Sequence, residues 1–245
     1  MGTAPDTALR AVCTRGEQAK VIRCVALSKT FLMHMRGGTR IDAFRDVSFA
    51  VEKGQFLGVS GPSGSGKSSL LKCLYRTYLP SSGEVWYTDG RSETRNLAAA
   101  DEHVIMKLRR HEIGYVSQFF PVIPRVSAVD TIANGMVARG FPRPESEKRA
   151  RELLGRLAIP RPLWDMFPST FSGGEKQRIN IIHAVIAQPR LLFLDEPTAS
   201  LDAASAREAV SLILELKAQG TAIIGVFHDK ELLSRLSDQI IEMKS

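Results

Sequence analysis

Residues 55–68 read QFLGVSGPSGSGKS, and this stretch decides the fold. The apolar run 55–60 is typical of a strand that is buried on both faces. The next eight residues match the phosphate-loop pattern G-x-x-x-x-G-K-[ST], and residues with helical spacing follow them. Glycines let the backbone curl until its N–H groups point at a phosphate, and the helix adds its N-terminal dipole. A plain glycine turn is the alternative, and the order strand, loop, helix disfavours it.

Two side chains of this loop carry a more specific prediction. Lys67 is expected to reach the β- and γ-phosphates of a nucleotide, and Ser68 is expected to bind Mg²⁺. The residues predicted to contact this nucleotide are Gly61, Pro62, Ser63, Gly64, Ser65, Gly66, Lys67, Ser68 and Ser69.

A second strand ends in two carboxylates. Residues 191–196 read LLFLDE, an apolar run closed by Asp195 and Glu196. Carboxylates at the carboxyl end of a buried strand need a reason, and ligands of α/β sheets bind at that end. We therefore predict that Asp195 holds Mg²⁺ and that Glu196 polarises an attacking water. An exposed acidic turn before Pro197 is the alternative, which the phosphate loop makes less favourable.

The rest of the chain alternates between strand and helix patterns, which predicts an α/β fold with a mainly parallel sheet covered by helices. Residues 127–165 read as helices only and suggest an insertion, while 89–112 read as a polar connection. The predicted strands are 21–31, 44–51, 55–60, 85–88, 113–117, 191–194, 221–227 and 239–242, and the predicted helices are 68–79, 128–139, 145–158, 203–219 and 230–236.

Composition narrows the class of protein. The 245 residues are 44% hydrophobic and 24% charged, which is ordinary for a globular domain. No apolar stretch approaches the roughly 20 residues of a membrane-spanning helix, and no secretory h-region precedes residue 20. Three widely spaced cysteines suit a reducing cytoplasm, so we expect a cytoplasmic protein without membrane insertion. The net charge is +7, but the basic residues are scattered, and no nucleic-acid partner is expected.

A third motif identifies the family. Residues 171–178 read FSGGEKQR ahead of a helix-like run, where Ser172 and the N–H groups of the two glycines would bind an anion. An ordinary serine-capped helix is the alternative. The phosphate loop, this octamer and strand 191–196 follow the order and spacing of the ABC ATPases, which the chain resembles. Gln118, the triplet 200–202 and His228 match the Q-loop, D-loop and switch histidine of that family.

The resemblance implies an ABC nucleotide-binding domain: a parallel core, an antiparallel β part and a helical subdomain at about 120–178. Residues 21–245 would form this single domain, after a loose tail at 1–20. In such proteins one subunit binds ATP and Mg²⁺, and a second ABC subunit completes the site with its signature. The implied residues are Glu196, His228 and Gln118 for catalysis, Ser68, Gln118 and Asp195 for Mg²⁺, Ser172, Gly173, Gly174 and Glu175 for the partner's ATP, and Asp202 in the D-loop.

Phe31 lies where the family places an aromatic residue that stacks on adenine, although a core aromatic is the alternative. The chain departs from the wider family at two positions. Glu175 replaces a common glutamine in the signature, and His183 replaces a common arginine in the run that follows. The first change should preserve the anion site. The second puts local packing in doubt, because histidine is not charged under all conditions.

Outside the shared motifs, the chain resembles the PhnL family of the bacterial phosphonate C–P lyase system. The resemblance rests on LSKTF at 27–31, LYRTYLP at 74–80, VSQFFPVIPRVSA at 116–128, LW at 163–164, PSTFSGG at 168–174 and FHD at 227–229. It implies an ATPase supporting formation of ribose 1-alkylphosphonate 5-triphosphate from ATP and an alkylphosphonate, within alpha-D-ribose 1-methylphosphonate 5-triphosphate synthase.

That resemblance also implies partners: a second copy or a PhnK-like subunit, and the C–P lyase core proteins. Two alternatives stay open. One is the ATPase motor of a transporter, such as an importer or a lipoprotein-type exporter, whose membrane domains are separate chains. The other is a non-catalytic clamp that ATP binding alone holds closed, against which Glu196 argues because a clamp needs no base.

Overall fold

The computed structural model describes residues 20–33, 39–118 and 123–244. The predicted tail at 1–20 therefore lies outside the described residues except for Lys20, as do residues 34–38 and residues 119–122 of the Q-loop stretch.

Four strands form an antiparallel sheet in the order β2-β1-β4-β5. They are β1 (Lys20–Met33), β2 (Thr39–Glu52), β4 (Ser82–Thr88) and β5 (Thr94–Asn96).

The other five strands form a parallel sheet in the order β6-β7-β8-β3-β9. They are β3 (Phe56–Ser60), β6 (Ile113–Val116), β7 (Leu191–Asp195), β8 (Ala222–Val226) and β9 (Gln239–Glu242). All residues of β7 and β8 are buried, as expected for apolar strands covered on both faces. Because the strands are parallel, their carboxyl ends lie at one edge, where ligands of such sheets bind.

Seven α-helices accompany the sheets in the described part of the chain. They are α1 (Lys67–Leu74), α2 (Glu102–His111), α3 (Ala128–Val137), α4 (Arg143–Arg156), α5 (Gly173–Val185), α6 (Ala203–Ala218) and α7 (Lys230–Leu236). Between β6 and β7 the described residues form only helices and turns, as the sequence predicts. Whether this block is a separate subdomain at 120–178 stays a prediction. No helix in the described ranges is long and apolar enough to cross a bilayer.

The parallel sheet is the middle layer of the core. Successive side chains of a strand point to opposite faces, and β7 shows this alternation. Leu192 and Leu194 belong to the apolar cluster that contains α3, α4, α5 and α6. Leu191 and Phe193 belong to the cluster that contains α1 and the antiparallel sheet. The sheet therefore holds the phosphate-loop helix on one face and the helical block on the other.

Two predictions about secondary structure are wrong. The helix predicted at 68–79 ends at Leu74, since Arg76 has a left-handed backbone (φ 66°) and donates from its guanidinium to the carbonyls of Leu97 and Ala100. The connection 89–112 contains β5 and α2. Helix α2 buries Ile105 and Leu108, whose i,i+3 spacing is typical of a helix. The charged residues around them make this pattern hard to recognise in the sequence.

Candidate nucleotide site

The phosphate loop joins β3 to α1 at the carboxyl edge of the parallel sheet. Gly66 ends the loop with φ at 85°, and a Cβ there would lie 2.0 Å from the carbonyl oxygen of Ala43. Only glycine fits at this close approach. Gly64 is also left-handed, at φ 82°, but a Cβ added there would meet nothing within 4 Å. The loop is thus packed against β2 on one side and open on the other.

Lys67 folds back over its own loop. Its Nζ donates to the carbonyl oxygens of Gly61 at 2.8 Å and Pro62 at 2.7 Å. These carbonyls hold the ammonium near the predicted phosphate position, and an ammonium has a third donor besides the two that they accept. The hydroxyl of Ser65 is buried and has no hydrogen-bond partner among the described residues. An unpaired buried hydroxyl is unusual and costly, and it fits a loop built to receive a ligand.

Asp195 is held through both carboxylate oxygens at the end of β7. Ser68 Oγ donates to Oδ1 at 2.8 Å, and the hydroxyl of Tyr115 donates to Oδ2 at 3.0 Å. Burial and the neighbouring Asp195 raise the pKa of Tyr115, so its hydroxyl stays protonated as a donor. The pair of Ser68 and Asp195 offers the hard oxygen ligands that Mg²⁺ prefers.

The site offers few protein side chains that could bind a metal. Among the described residues no three His, Cys, Asp or Glu side chains cluster as metal ligands. This suits Mg²⁺, which proteins commonly bind through one or two carboxylates together with substrate phosphates. The residues present therefore fit Mg²⁺ that arrives with ATP.

Three predicted catalytic residues follow neighbouring strands. Gln118 lies just past β6, Glu196 directly after β7, and His228 just past β8. Strand pairing of β6 with β7 and of β7 with β8 places all three at the same edge as the phosphate loop. Glu196 has a left-handed backbone, with φ at 52°, and its N–H donates to the carbonyl of Val226 at 3.0 Å. Such strain in a non-glycine residue is frequent at functional sites.

The signature residues form the first turn of α5. Ser172 is the N-cap, and its Oγ accepts from the N–H of Glu175, whose carboxylate accepts from both the N–H and the hydroxyl of Ser172. This capping box lowers the pKa of Glu175 through the hydrogen bonds from Ser172. The serine-capped helix therefore exists, and an exposed helix N-terminus of this kind is compatible with anion binding.

The D-loop lies against the signature. A Cβ added to Gly174 would lie 3.1 Å from the carbonyl oxygen of Ser200. Asp202 caps α6, because its carboxylate accepts from the N–H groups of Ala204 and Ser205 and from the Ser205 hydroxyl. These hydrogen bonds, led by the one from the Ser205 hydroxyl, lower the pKa of Asp202 to about 2. The geometry shows a capping role, and direct catalytic participation of Asp202 stays a prediction.

Two further sequence expectations can be compared with the structure. Phe31 is only half-buried: its ring contacts the edge of Tyr78 at 5.3 Å, and Nζ of Lys29 lies 4.8 Å from the ring centre. It is not a core aromatic, and stacking on adenine stays a prediction. His183 is exposed on the surface of α5, so a histidine in place of the common arginine does not disturb the buried packing of this helix.

Sequence reasoning missed three side chains that touch the site. Tyr115 binds Asp195, and the buried amides of Gln177 and Asn180 bind the backbone beside Gln118 and Glu196. Polar residues at otherwise buried positions were the available signal, but it does not say which partner each one finds.

The fold and this arrangement define a P-loop ATPase. Residues 44–199 match the family model described as ABC transporter, and the chain belongs to this family of ATPases. It therefore binds ATP with Mg²⁺ and hydrolyses ATP, as its family does.

Individual relatives agree with this assignment. The lipoprotein-releasing system ATP-binding protein LolD of Idiomarina loihiensis is 34% identical over 217 residues, which cover 88% of this chain and 91% of that protein. The macrolide export ATP-binding/permease protein MacB of Wolinella succinogenes is 34% identical over 93% of this chain, but only 34% of MacB is covered. The dimeric cassette MJ0796 bound to ADP and Pi superposes with a TM-score of 0.81, 28% identity and coverage of 91% and 94%.

Proposed function

We propose that this chain is the ATPase motor of an ABC transporter whose membrane domains are separate chains. The observation that carries the proposal is the match to LolD, which extends over 91% of that protein. LolD is described as an ATP-binding protein of a lipoprotein-releasing system, and this chain corresponds to it over nearly its whole length. The match to MacB, in contrast, covers only a part of a longer ATP-binding/permease protein.

The residues at the sheet edge divide the work of ATP hydrolysis. The N–H groups of the phosphate loop and Nζ of Lys67 bind the phosphates, and Ser68 and Asp195 hold Mg²⁺. Mg²⁺, when bound, neutralises charge on the β- and γ-phosphates. Glu196 orients the attacking water and accepts its proton, while Gln118 and His228 contact the γ-phosphate side of the site. This division supports a hydrolysing motor over a clamp that only binds ATP.

The site needs two subunits. The signature residues Ser172 to Glu175 lie in the partly exposed first turn of α5, where Ser172 and Glu175 hydrogen-bond each other. The similar cassette MJ0796 is a dimer in its solved structures. We propose that ATP closes this chain onto a second ABC subunit, so that Ser172 of each subunit contacts the ATP of the other.

A second candidate is the ABC protein of the C–P lyase system. It is supported by the stretches that resemble PhnL, above all 116–128, which begins at the end of β6 and leads past Gln118 to α3. In this role the same ATPase would drive the assembly or turnover of Phn proteins during formation of ribose 1-alkylphosphonate 5-triphosphate. We place glycosyl transfer in another chain, because the residues described here serve phosphoryl transfer to water.

Purification of the tagged chain, from detergent-solubilised membranes and from phosphonate-grown cells, distinguishes the two candidates. We expect permease chains to co-purify from membranes. Two results together would favour the C–P lyase role over the transporter role. Phn proteins would co-purify with the chain, and a deletion strain would grow on phosphate but fail to grow on methylphosphonate. A Glu196→Gln strain tests the hypothesis of a non-catalytic clamp. If the chain is such a clamp, it keeps its function in these cells although ATP hydrolysis is absent.

A further inference from the structure

Two buried amide side chains connect the signature helix to the catalytic edge of the sheet. Both Gln177 and Asn180 are only 3% exposed, although they are polar. Asn180 Nδ2 donates to the carbonyl of Ser117 at 2.7 Å and to Oε1 of Gln177 at 3.3 Å. Gln177 Nε2 donates to the carbonyl of Pro197 at 3.2 Å and to that of Ser117 at 3.4 Å.

The two carbonyls that receive these bonds adjoin predicted catalytic residues. Ser117 precedes Gln118, and Pro197 follows Glu196. Neither segment belongs to the regular part of a strand, since β6 ends at Val116 and β7 ends at Asp195. The backbone there has left the hydrogen-bonded ladder of the sheet and needs other partners. Gln177 and Asn180 supply them from α5, about one and two turns beyond Ser172.

The chemistry of the amides suits this task. An amide NH₂ group has two donors, so one side chain can bind two carbonyls at once, and it is neutral and can be buried without a counterion. A carboxylate in the same place would present only acceptors to these carbonyls. Because the network is buried and mutually bonded, it fixes the spacing between α5 and the two segments more firmly than exposed contacts would.

We propose that Gln177 and Asn180 are positioning residues that couple the signature end of α5 to Gln118 and Glu196. When Ser172 engages the ATP of the partner subunit, α5 is fixed, and the two amides set the backbone that carries the water-orienting groups of their own chain. This inference rests on the proposed two-subunit ATPase, in which one helix touches one ATP through its signature and serves the other through these amides.

The test separates hydrolysis from closure in the complex as purified from cells. Gln177→Met and Asn180→Leu keep approximate side-chain volume and remove the donors. We expect kcat to fall at least about tenfold, since a misplacement of about 1 Å can cost about 10²-fold. The KM for ATP should stay within about twofold, because binding by the phosphate loop is untouched. In a Glu196→Gln background, ATP-driven dimerisation should keep its wild-type affinity.

Trp164→Phe is the matched control. It also removes an N–H donor to a backbone carbonyl, that of Ile159 at 2.8 Å, within the same helical block but away from residues 117 and 197. It should leave kcat unchanged, and Asn180→Ala provides a milder variant if Asn180→Leu does not fold. Two outcomes would overturn the coupling. One is an unchanged kcat in folded variants, and the other is a loss of ATP binding and dimerisation that matches a lowered melting temperature. A wild-type complex without ATPase activity would instead refute the proposed function on which the inference rests.

Discussion

The hydroxyl of Ser68 donates to Oδ1 of Asp195 at 2.8 Å, across 127 positions of sequence. This bond joins the first turn of α1 to the carboxyl end of β7, so the phosphate loop and the carboxylate strand form one site. It also places side by side two oxygen atoms of the hard kind that Mg²⁺ prefers. The hydroxyl of Tyr115 holds the other carboxylate oxygen, which fixes the direction in which Asp195 points.

Tyr115→Phe tests whether that hydroxyl orients Asp195. The variant keeps the ring, which packs against Tyr75 at 4.8 Å, and loses only the hydrogen bond. Loss of a side chain that orients a metal ligand typically weakens metal affinity by about 10–100-fold. We expect a weaker affinity for Mn²⁺, used as a probe for Mg²⁺, by calorimetry in the presence of ATP. Tyr75→Phe is the control, and equal Mn²⁺ affinity in both variants would contradict the role.

Lys67→Ala removes the charge that we propose contacts the β- and γ-phosphates. A hydrogen bond to a charged group contributes about 1.5–3 kcal/mol, so ATP affinity should fall at least about tenfold. Calorimetry with Mg-ATP measures the effect, and Lys107→Ala, at an exposed position of α2, is the control. Unchanged ATP binding in the Lys67 variant would disprove the assignment.

Glu196→Gln keeps the shape of the side chain and removes the proposed base. General-base assistance contributes about 10²–10⁴-fold in rate, so the variant should bind ATP, hydrolyse it that much more slowly and accumulate as a closed dimer. Light scattering with and without ATP detects the dimer, and phosphate release gives the rate. Glu231→Gln, an exposed carboxylate on α7, should behave as wild type. Wild-type turnover in the Glu196 variant would rule this residue out as the base.

Ser172→Arg tests the signature. The variant should bind ATP as a monomer, because its own phosphate loop is unchanged, but a bulky side chain should block closure on the ATP of the partner. Removing the N-cap should also cost about 0.5–2 kcal/mol of stability. Ser172→Ala measures that cost alone. The composite site fails if Ser172→Arg still dimerises with ATP at wild-type affinity.

Asp202 allows a prediction about pH. Its pKa is lowered from 3.8 to about 2, so the stabilisation from its cap is fully present above pH 3.8 and is lost as the pH falls toward about 2. Asp202→Ala should lower the melting temperature at neutral pH, whereas Asp202→Asn, which keeps an acceptor, should lower it less. The difference between wild type and Asp202→Ala should shrink in acid. A difference that is independent of pH would show that the carboxylate charge is not involved.

Much of the fold was predictable because its signals are local. Each of these signals is contained in a short stretch of sequence. They are the apolar runs of β3, β7 and β8, the glycines of the loop, and the helical spacing of α3, α4 and α6. Helix α2 was missed because its apolar positions are few, and the end of α1 was misplaced because Arg76 finds its partners in residues 97 and 100. The motif residues of the candidate site can be picked out from the sequence, since motif spacing depends on sequence order alone, and their individual roles stay predictions.

The sequence by itself determined the class of this protein: the glycine-rich loop after an apolar strand and the paired carboxylates after another define a nucleotide site at the edge of a parallel sheet. Only the tertiary structure decided which buried polar groups serve that site. Tyr115 meets Asp195 across 80 positions, and Asn180 meets Ser117 across 63. The spacing of polar and apolar residues along the sequence does not predict such pairs. Burial forces each polar group to find a partner, and the folded chain alone brings that partner within hydrogen-bond distance.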